Sequence, residues 1–183
     1  MLRKSLYGTL AASLLLVGAS TADAQFASPI RFNVHAGAAL PIGDLADDDP
    51  VTGGGAELGF RLGAGLELRP AFSPIGLRFD GAFDRLGIED TDLSWTFWSI
   101  TANAVLSPMA SPLYFIGGLG FYSVDITGED VEFESESELG FNLGAGLSLP
   151  LTGFSTFIEA RWNSIDTEGD NISYIPIVFG IRF

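Results

Sequence analysis

Apolar residues recur at every second position along most of this chain, which is typical of β-strands with two different faces. Between Glu57 and Arg69, leucine, phenylalanine and alanine share one face, and glycine, glutamate and arginine share the other. Each such segment is long enough for the roughly 9–11 residues with which a tilted strand crosses a bilayer. The pattern predicts eight strands, near residues 30–41, 57–69, 75–85, 94–107, 112–125, 138–149, 154–163 and 174–183.

The polarity of the two faces distinguishes a membrane barrel from a soluble one. Charged strand residues share their face with glycine, serine and asparagine, and no lysine follows Lys4. Only Arg85 has the parity of the apolar face, and it lies at a strand end. An apolar exterior around a polar interior suits lipid, and closure is required because an open sheet edge in hydrocarbon leaves backbone groups unsatisfied. The sequence therefore predicts an all-β fold, an eight-stranded antiparallel transmembrane up-and-down β-barrel.

Arginines and carboxylates with inward parity are expected to form an interior charge network. Eight strands enclose a space that side chains can fill, and an unpaired charge there is strongly unfavourable. The arginines should therefore pair with carboxylates, with Glu57 and Glu67 as further acceptors; the alternative is that the charges line a pore. The predicted network contains Arg61, Arg78, Asp80, Asp84, Glu159, Arg161 and Arg182.

The first 24 residues have the organisation of a signal peptide. Arg3 and Lys4 form a basic segment, and residues 6–17 are mostly apolar but too few for a spanning helix. Ala22-Asp23-Ala24 supplies the small residues of a cleavage site before Gln25. We therefore expect residues 1–24 to be a signal peptide and residues 25–183 to be an exported outer-membrane β-barrel.

The predicted connections alternate between two kinds. Those near 69–74, 107–112 and 150–153 are short and marked by proline, whereas those near 42–54, 86–93, 126–137 and 164–173 are longer and acidic. In outer-membrane barrels the turns are periplasmic and the loops extracellular, with aromatic residues near both interfaces. This order predicts an outer girdle of Phe60, Phe83, Trp98, Phe121, Phe141 and Trp162, and an inner girdle of Phe32, Phe72, Phe115, Phe154 and Phe183.

One segment of the sequence is repeated almost unchanged. Residues 57–68 recur as residues 138–149, with differences only at Arg61/Asn142 and Glu67/Ser148. The offset of 81 residues is half of the predicted barrel, so the two strands should face each other across it. Duplication of a four-stranded half is one interpretation. The other is that opposed strands in a narrow barrel both need glycine inside and leucine outside.

Taken together, these features resemble the small outer-membrane β-barrel family that includes OmpX, Ail and the transmembrane domain of OmpA. The most specific element is the last strand, in which Phe179, Ile181 and Phe183 alternate up to the final residue like the signal read by the barrel-assembly machinery. The resemblance implies that this machinery, outer-membrane lipid and lipopolysaccharide are partners. It also implies roles that range from structural support to adhesion.

Several kinds of chemistry are disfavoured by composition. A formal net charge of -14 argues against nucleic acid as a partner, and the absence of cysteine excludes thiolate chemistry. No cofactor is expected. The acidic loop around residues 125–138 suggests weak binding of divalent cations such as Ca²⁺ through oxygen ligands, although a solvated hydrophilic rim is the alternative. The candidate ligands are Glu129, Asp130, Glu132 and Glu134.

Three functions fit these features. The first is a non-enzymatic barrel with a structural or adhesin-like surface-interaction role through acidic extracellular loops. The second is a small porin-like channel for solutes. The third is a lipid-modifying outer-membrane enzyme using His35, the only histidine, although no serine or acid of matching parity lies near it in the sequence.

Overall fold

A computed structural model describes residues 29–47, 54–70, 73–108, 111–128, 131–132, 136–167 and 171–183 of the chain. Within these ranges, no helix has the length and apolarity needed to cross a membrane. These ranges contain one short 3-10 turn, Gly43–Leu45. The strands are β1 (Ile30–Ile42), β2 (Gly59–Leu68), β3 (Ile75–Gly87), β4 (Ser94–Leu106), β5 (Leu113–Gly128), β6 (Val131–Glu132), β7 (Glu136–Pro150), β8 (Ser155–Asp166) and β9 (Asn171–Arg182).

Eight of these strands form one closed antiparallel barrel. Pairing runs in the order β4, β3, β2, β1, β9, β8, β7 and β5, and the pairing of β4 with β5 closes the ring. The first and last strands meet in register at Asn33 and Arg182. The two-residue strand β6 pairs only with the end of β5, so it lengthens a hairpin and is not part of the wall. The predicted eight-stranded up-and-down barrel is confirmed.

The strands differ from the predicted segments mainly at the end of the barrel that carries the longer loops, here called the loop end. The hairpin of β5 and β7 continues to the pairing of Val124 with Glu136, beyond the apolar alternation. Backbone pairing needs no apolar face, so polar residues can extend a hairpin into water. In contrast, β2 begins at Gly59, and Glu57 is exposed instead of interior. Alternation is lost just before β2, where residues 54–56 are all buried and 57–58 are both exposed, and Ala56 N–H donates to Leu45 O at 2.9 Å.

The two faces of the wall have the predicted polarity. Large apolar side chains are exposed around the outside, including Ile100 at 73%, which is expected of a surface that faces lipid. Arg85 also points outward, close to the loop end. At that end the rings of Phe83 and Trp98 lie 4.7 Å apart and those of Phe141 and Trp162 lie 5.3 Å apart. Of the residues assigned to the opposite girdle, Phe72 lies outside the described residues.

Candidate functional site in the barrel interior

Four charged side chains form a closed ring across the middle of the barrel. Arg78 and Asp80 come from β3, and Glu159 and Arg161 come from β8. Arg78 donates to Asp80 at 2.9 Å and, through Nη2, to both oxygens of Glu159 at 2.8 Å. Arg161 donates to Asp80 at 2.9 Å and also to Glu159. Each cation therefore contacts both anions, and the formal charges of the ring cancel.

Neutral side chains surround this ring and add hydrogen bonds to its two carboxylates. The Tyr114 hydroxyl donates to Glu159 at 2.6 Å, and Asn103 Nδ2 donates to Asp80 at 3.1 Å. Asn142 then donates to Asn103 Oδ1 at 2.8 Å, which links the ring to the wall at β7. The four charged residues are buried, paired and hydrogen-bonded, as buried charges must be to be stable, and their side chains occupy the middle of the lumen.

The ring joins residues that are separated by the repeat offset. Arg78 and Glu159 are 81 residues apart, as are Asp80 and Arg161. In the order of pairing, β3 and β8 are four strands apart, as are the repeated strands β2 and β7. Each of these charged residues thus contacts the equivalent residue of the other half, with the opposite sign of charge.

A second layer closes the interior toward the loop end. The Tyr174 hydroxyl donates to Asp84 at 3.0 Å, and Arg61 Nε lies 3.6 Å from the same carboxylate. Above them, Leu45 from the 3-10 turn enters the mouth of the barrel. It packs in a buried apolar cluster with Ala39, Ala56, Leu86, Phe97, Tyr122, Ile165 and Tyr174.

Leu45 was not identified by sequence reasoning. It lies in a connection that the sequence marks as acidic, between Asp44 and Asp47. The available signal was a single leucine in this polar segment, two residues after Gly43, which adopts a left-handed φ of 62° at the start of the 3-10 turn.

A third layer occupies the opposite end, here called the turn end because its connections are the short proline-marked turns. Arg182 lies over the rings of Phe157 and Tyr114, at 5.0 and 5.6 Å from their centroids. Glu67 is fully buried, accepts from Arg69 Nε at 2.7 Å and lies 3.6 Å from Arg182 Nε. All seven residues of the predicted charge network are thus buried in the interior and lie in ion pairs.

His35 is buried inside β1 and is held by local contacts. Its Nδ1 lies 3.1 Å from Asn33 Oδ1, and its ring meets Phe157 edge-on at 6.3 Å. A Cβ added at Gly63 would collide with the imidazole, so the ring fits closely against the facing strand. The hydrogen-bond partner of His35 is therefore an amide, whereas the catalytic hypothesis requires a serine and an acid.

The other sequence-predicted sites lie on the barrel surface or beyond the described residues. Phe179 and Ile181 are exposed on the outer wall, and Phe183 exchanges backbone hydrogen bonds with Phe32 at 2.8 and 2.9 Å. Within the described ranges, no group of three or more histidine, aspartate or glutamate side chains is placed to hold a metal ion. Of the Ca²⁺ candidates, Glu132 is described only as part of β6; the rest lie outside the described residues, namely Glu129, Asp130 and Glu134.

Comparison with known proteins agrees with this architecture. A family model described as "Outer membrane protein beta-barrel domain" matches residues 9–183. The crystal structure of Neisserial surface protein A (NspA) is similar, with a TM-score of 0.64 and 18% identity, covering 85% of this chain and 96% of that chain. A major outer membrane protein from Thermus thermophilus gives a TM-score of 0.50 and 15% identity, covering 85% of this chain and 99% of that chain.

The outer membrane protein Ail of Yersinia pestis has a TM-score of 0.48 and 20% identity, covering 84% of this chain and 99% of that chain. No curated protein sequence matches this chain. At these identities the solved structures show the fold alone, but the family model spans nearly the whole sequence. The chain therefore belongs to the outer-membrane β-barrel domain family and is an integral protein of the bacterial outer membrane.

Proposed function

We propose that this protein is a non-enzymatic barrel that acts through its surface, either as structural support or in adhesin-like contacts made by acidic extracellular loops. The observation that carries the proposal is the filled interior. The apolar cluster around Leu45, the charge ring around Glu159 and the layer around Phe157 occupy the lumen at successive levels. Members of this family are also generally non-enzymatic structural proteins.

Conductance in planar bilayers tests this proposal against the channel. The purified barrel should give no steady single-channel current, because ions would have to displace the buried ion pairs of Arg78 and Arg161. As a control for insertion, the same protein should show a heat-dependent gel shift after extraction from the membrane. A reproducible, open-state conductance from the parent protein would reject the surface role and favour a solute channel.

The orientation of the barrel is part of the proposal and can be tested by cysteine labelling, since the chain has no cysteine of its own. Asp92 is exposed in the β3–β4 loop, and Thr152 is exposed in the β7–β8 turn. A membrane-impermeant maleimide should label Asp92→Cys in intact cells and Thr152→Cys only after lysis. The reverse pattern would place the acidic loops in the periplasm and remove the basis for a surface role.

The two surface roles make different demands on the loops. A strain lacking this protein can be complemented with the parent or with a variant in which the carboxylates of residues 44–49 and 166–170 are changed to amides. If the barrel gives structural support, both versions should restore resistance to detergent. If the loops bind a partner, only the parent should restore attachment of cells to a polylysine-coated surface. Failure of the parent in both assays would reject the proposal.

A further inference from the structure

The turn end of the barrel contains a cavity that none of the functions above uses. Its volume is about 570 Å³. Three arginines, Arg31, Arg69 and Arg182, contribute to its lining, and no Asp or Glu does so among the described residues. Serine hydroxyls at four positions lie around the same space; they belong to Ser107, Ser111, Ser148 and Ser155.

Arg182 is the most deeply buried of the three arginines that line this cavity. Its side chain is only 5% exposed, yet its Nε and Nη2 have no hydrogen-bond partner. The nearest carboxylate is Glu67, whose Oε2 lies 3.6 Å from Arg182 Nε, and whose Oε1 already accepts from Arg69. A buried guanidinium with unused donors is unfavourable unless another acceptor reaches it, and Arg182 is part of the lining of this cavity.

The described side chains that line the cavity carry three positive charges and no negative charge. Arg31 is paired in register with Glu67 and interacts electrostatically with Glu67, Arg69 and Arg182. Glu67 thus interacts with all three arginines of the cavity lining. The turns at the turn end cannot supply another carboxylate side chain to this cavity, because residues 70–74, 107–112 and 150–153 contain no charged residue. An anion that enters from outside the barrel would balance this excess.

We propose that the turn-end cavity binds a phosphate-bearing anion. Guanidinium groups present planar pairs of N–H donors that match phosphate oxygens, and such charge-assisted hydrogen bonds are stronger than neutral ones. Serine hydroxyls add neutral donors around the same oxygens. A soluble phosphate ester and the headgroup of a neighbouring phospholipid offer the same chemistry. The inference depends on the cavity alone, so it stands or falls separately from the proposed surface role.

The test is calorimetric titration of inorganic phosphate, and separately of short-chain phosphatidylglycerol, into the barrel folded in a phosphate-free nonionic detergent. Arg31→Gln and Arg69→Gln remove half-buried cations at the rim, and each should weaken binding by about tenfold, a typical effect of losing one charge-assisted contact. Arg85→Gln is the matched control, because Arg85 lies outside the barrel near the loop end and should leave binding unchanged.

The two titrations also distinguish the sources of the anion. Arginine-dependent binding of inorganic phosphate supports a soluble ligand, and arginine-dependent binding of the lipid alone supports a headgroup. The proposal is overturned if neither ligand binds, or if Arg85→Gln weakens binding as much as the rim variants do. Arg182→Gln should abolish binding, and a heat-dependent gel shift shows whether that variant has folded. If it has not folded, the Arg31→Gln and Arg69→Gln variants alone test the proposal.

Discussion

Substitution of Glu159 by glutamine tests whether the charge ring stabilises the barrel. The Glu159 carboxylate accepts hydrogen bonds from Arg78, Arg161 and Tyr114. Glutamine has nearly the same size, so no cavity forms, but Arg78 and Arg161 are left to share Asp80. Removal of one partner from a buried ion pair lowers the free energy of unfolding by about 3–5 kcal/mol. Because both arginines keep contacts of 2.9 Å to Asp80, we expect a loss near the lower limit, about 3 kcal/mol.

Urea unfolding in detergent micelles, followed by the fluorescence of the three tryptophans, measures this loss. Glu57→Gln is the matched control, since Glu57 is exposed and its change should stay within about 0.5 kcal/mol. Adding Arg78→Gln to Glu159→Gln removes one charge of each sign and should cost less than the sum of the two single changes. A Glu159→Gln loss no larger than that of Glu57→Gln would refute the reasoning and indicate a hydrated, open interior.

Three further predictions concern packing, assembly and the loops. Gly146→Ala should severely destabilise the barrel in the same unfolding assay, because the added Cβ would overlap the Tyr114 ring. Gly117→Ala should have a mild effect, because a Cβ there would meet only Leu143 Cδ1 at 3.3 Å and the Asn142 carbonyl oxygen at 3.4 Å. Deletion of Phe183 should reduce the inserted fraction, measured by gel shift, more than deletion of residues 128–134; equal insertion would contradict an assembly role for the last strand. Calorimetric titration should detect weak Ca²⁺ binding that is lost when four loop carboxylates become amides, namely Glu129, Asp130, Glu132 and Glu134. Identical heats for the parent and this variant would indicate only a solvated rim.

Within the regular strands, residue parity predicted which charged side chains point inward. Alternation is a local property of a strand, so Arg78 and Asp80 could be assigned to the interior without knowledge of the fold. Their partners could not be assigned, because contacts across a barrel depend on the stagger between strands, which no local pattern encodes. Arg61 contacts its register neighbour Asp84, whereas Arg78 reaches Glu159 on the opposite wall.

The mouth of the barrel was predicted least well, again for a physical reason. Strand limits at the loop end follow backbone hydrogen bonds, and these are independent of the apolar pattern used to locate strands. Glu57 has strand-like parity but precedes β2, where buried and exposed positions no longer alternate. Leu45 itself is recruited from a loop by long-range packing, and a single apolar residue gives no periodicity to detect.

The offset of 81 residues within the charge ring makes the two halves of the barrel antisymmetric. A barrel assembled from two identical copies of the first half would oppose Arg78 to an arginine and Asp80 to an aspartate, whereas this chain opposes them to Glu159 and Arg161. Two copies of the second half would fail in the same way, by opposing glutamate to glutamate. Either assembly would keep a net charge of zero but would place like charges face to face. Only the union of the two different halves opposes each cation to an anion on the far wall. The charge ring thus disfavours dimers built from two copies of the same half, which the nearly identical repeated strands β2 and β7 would tolerate.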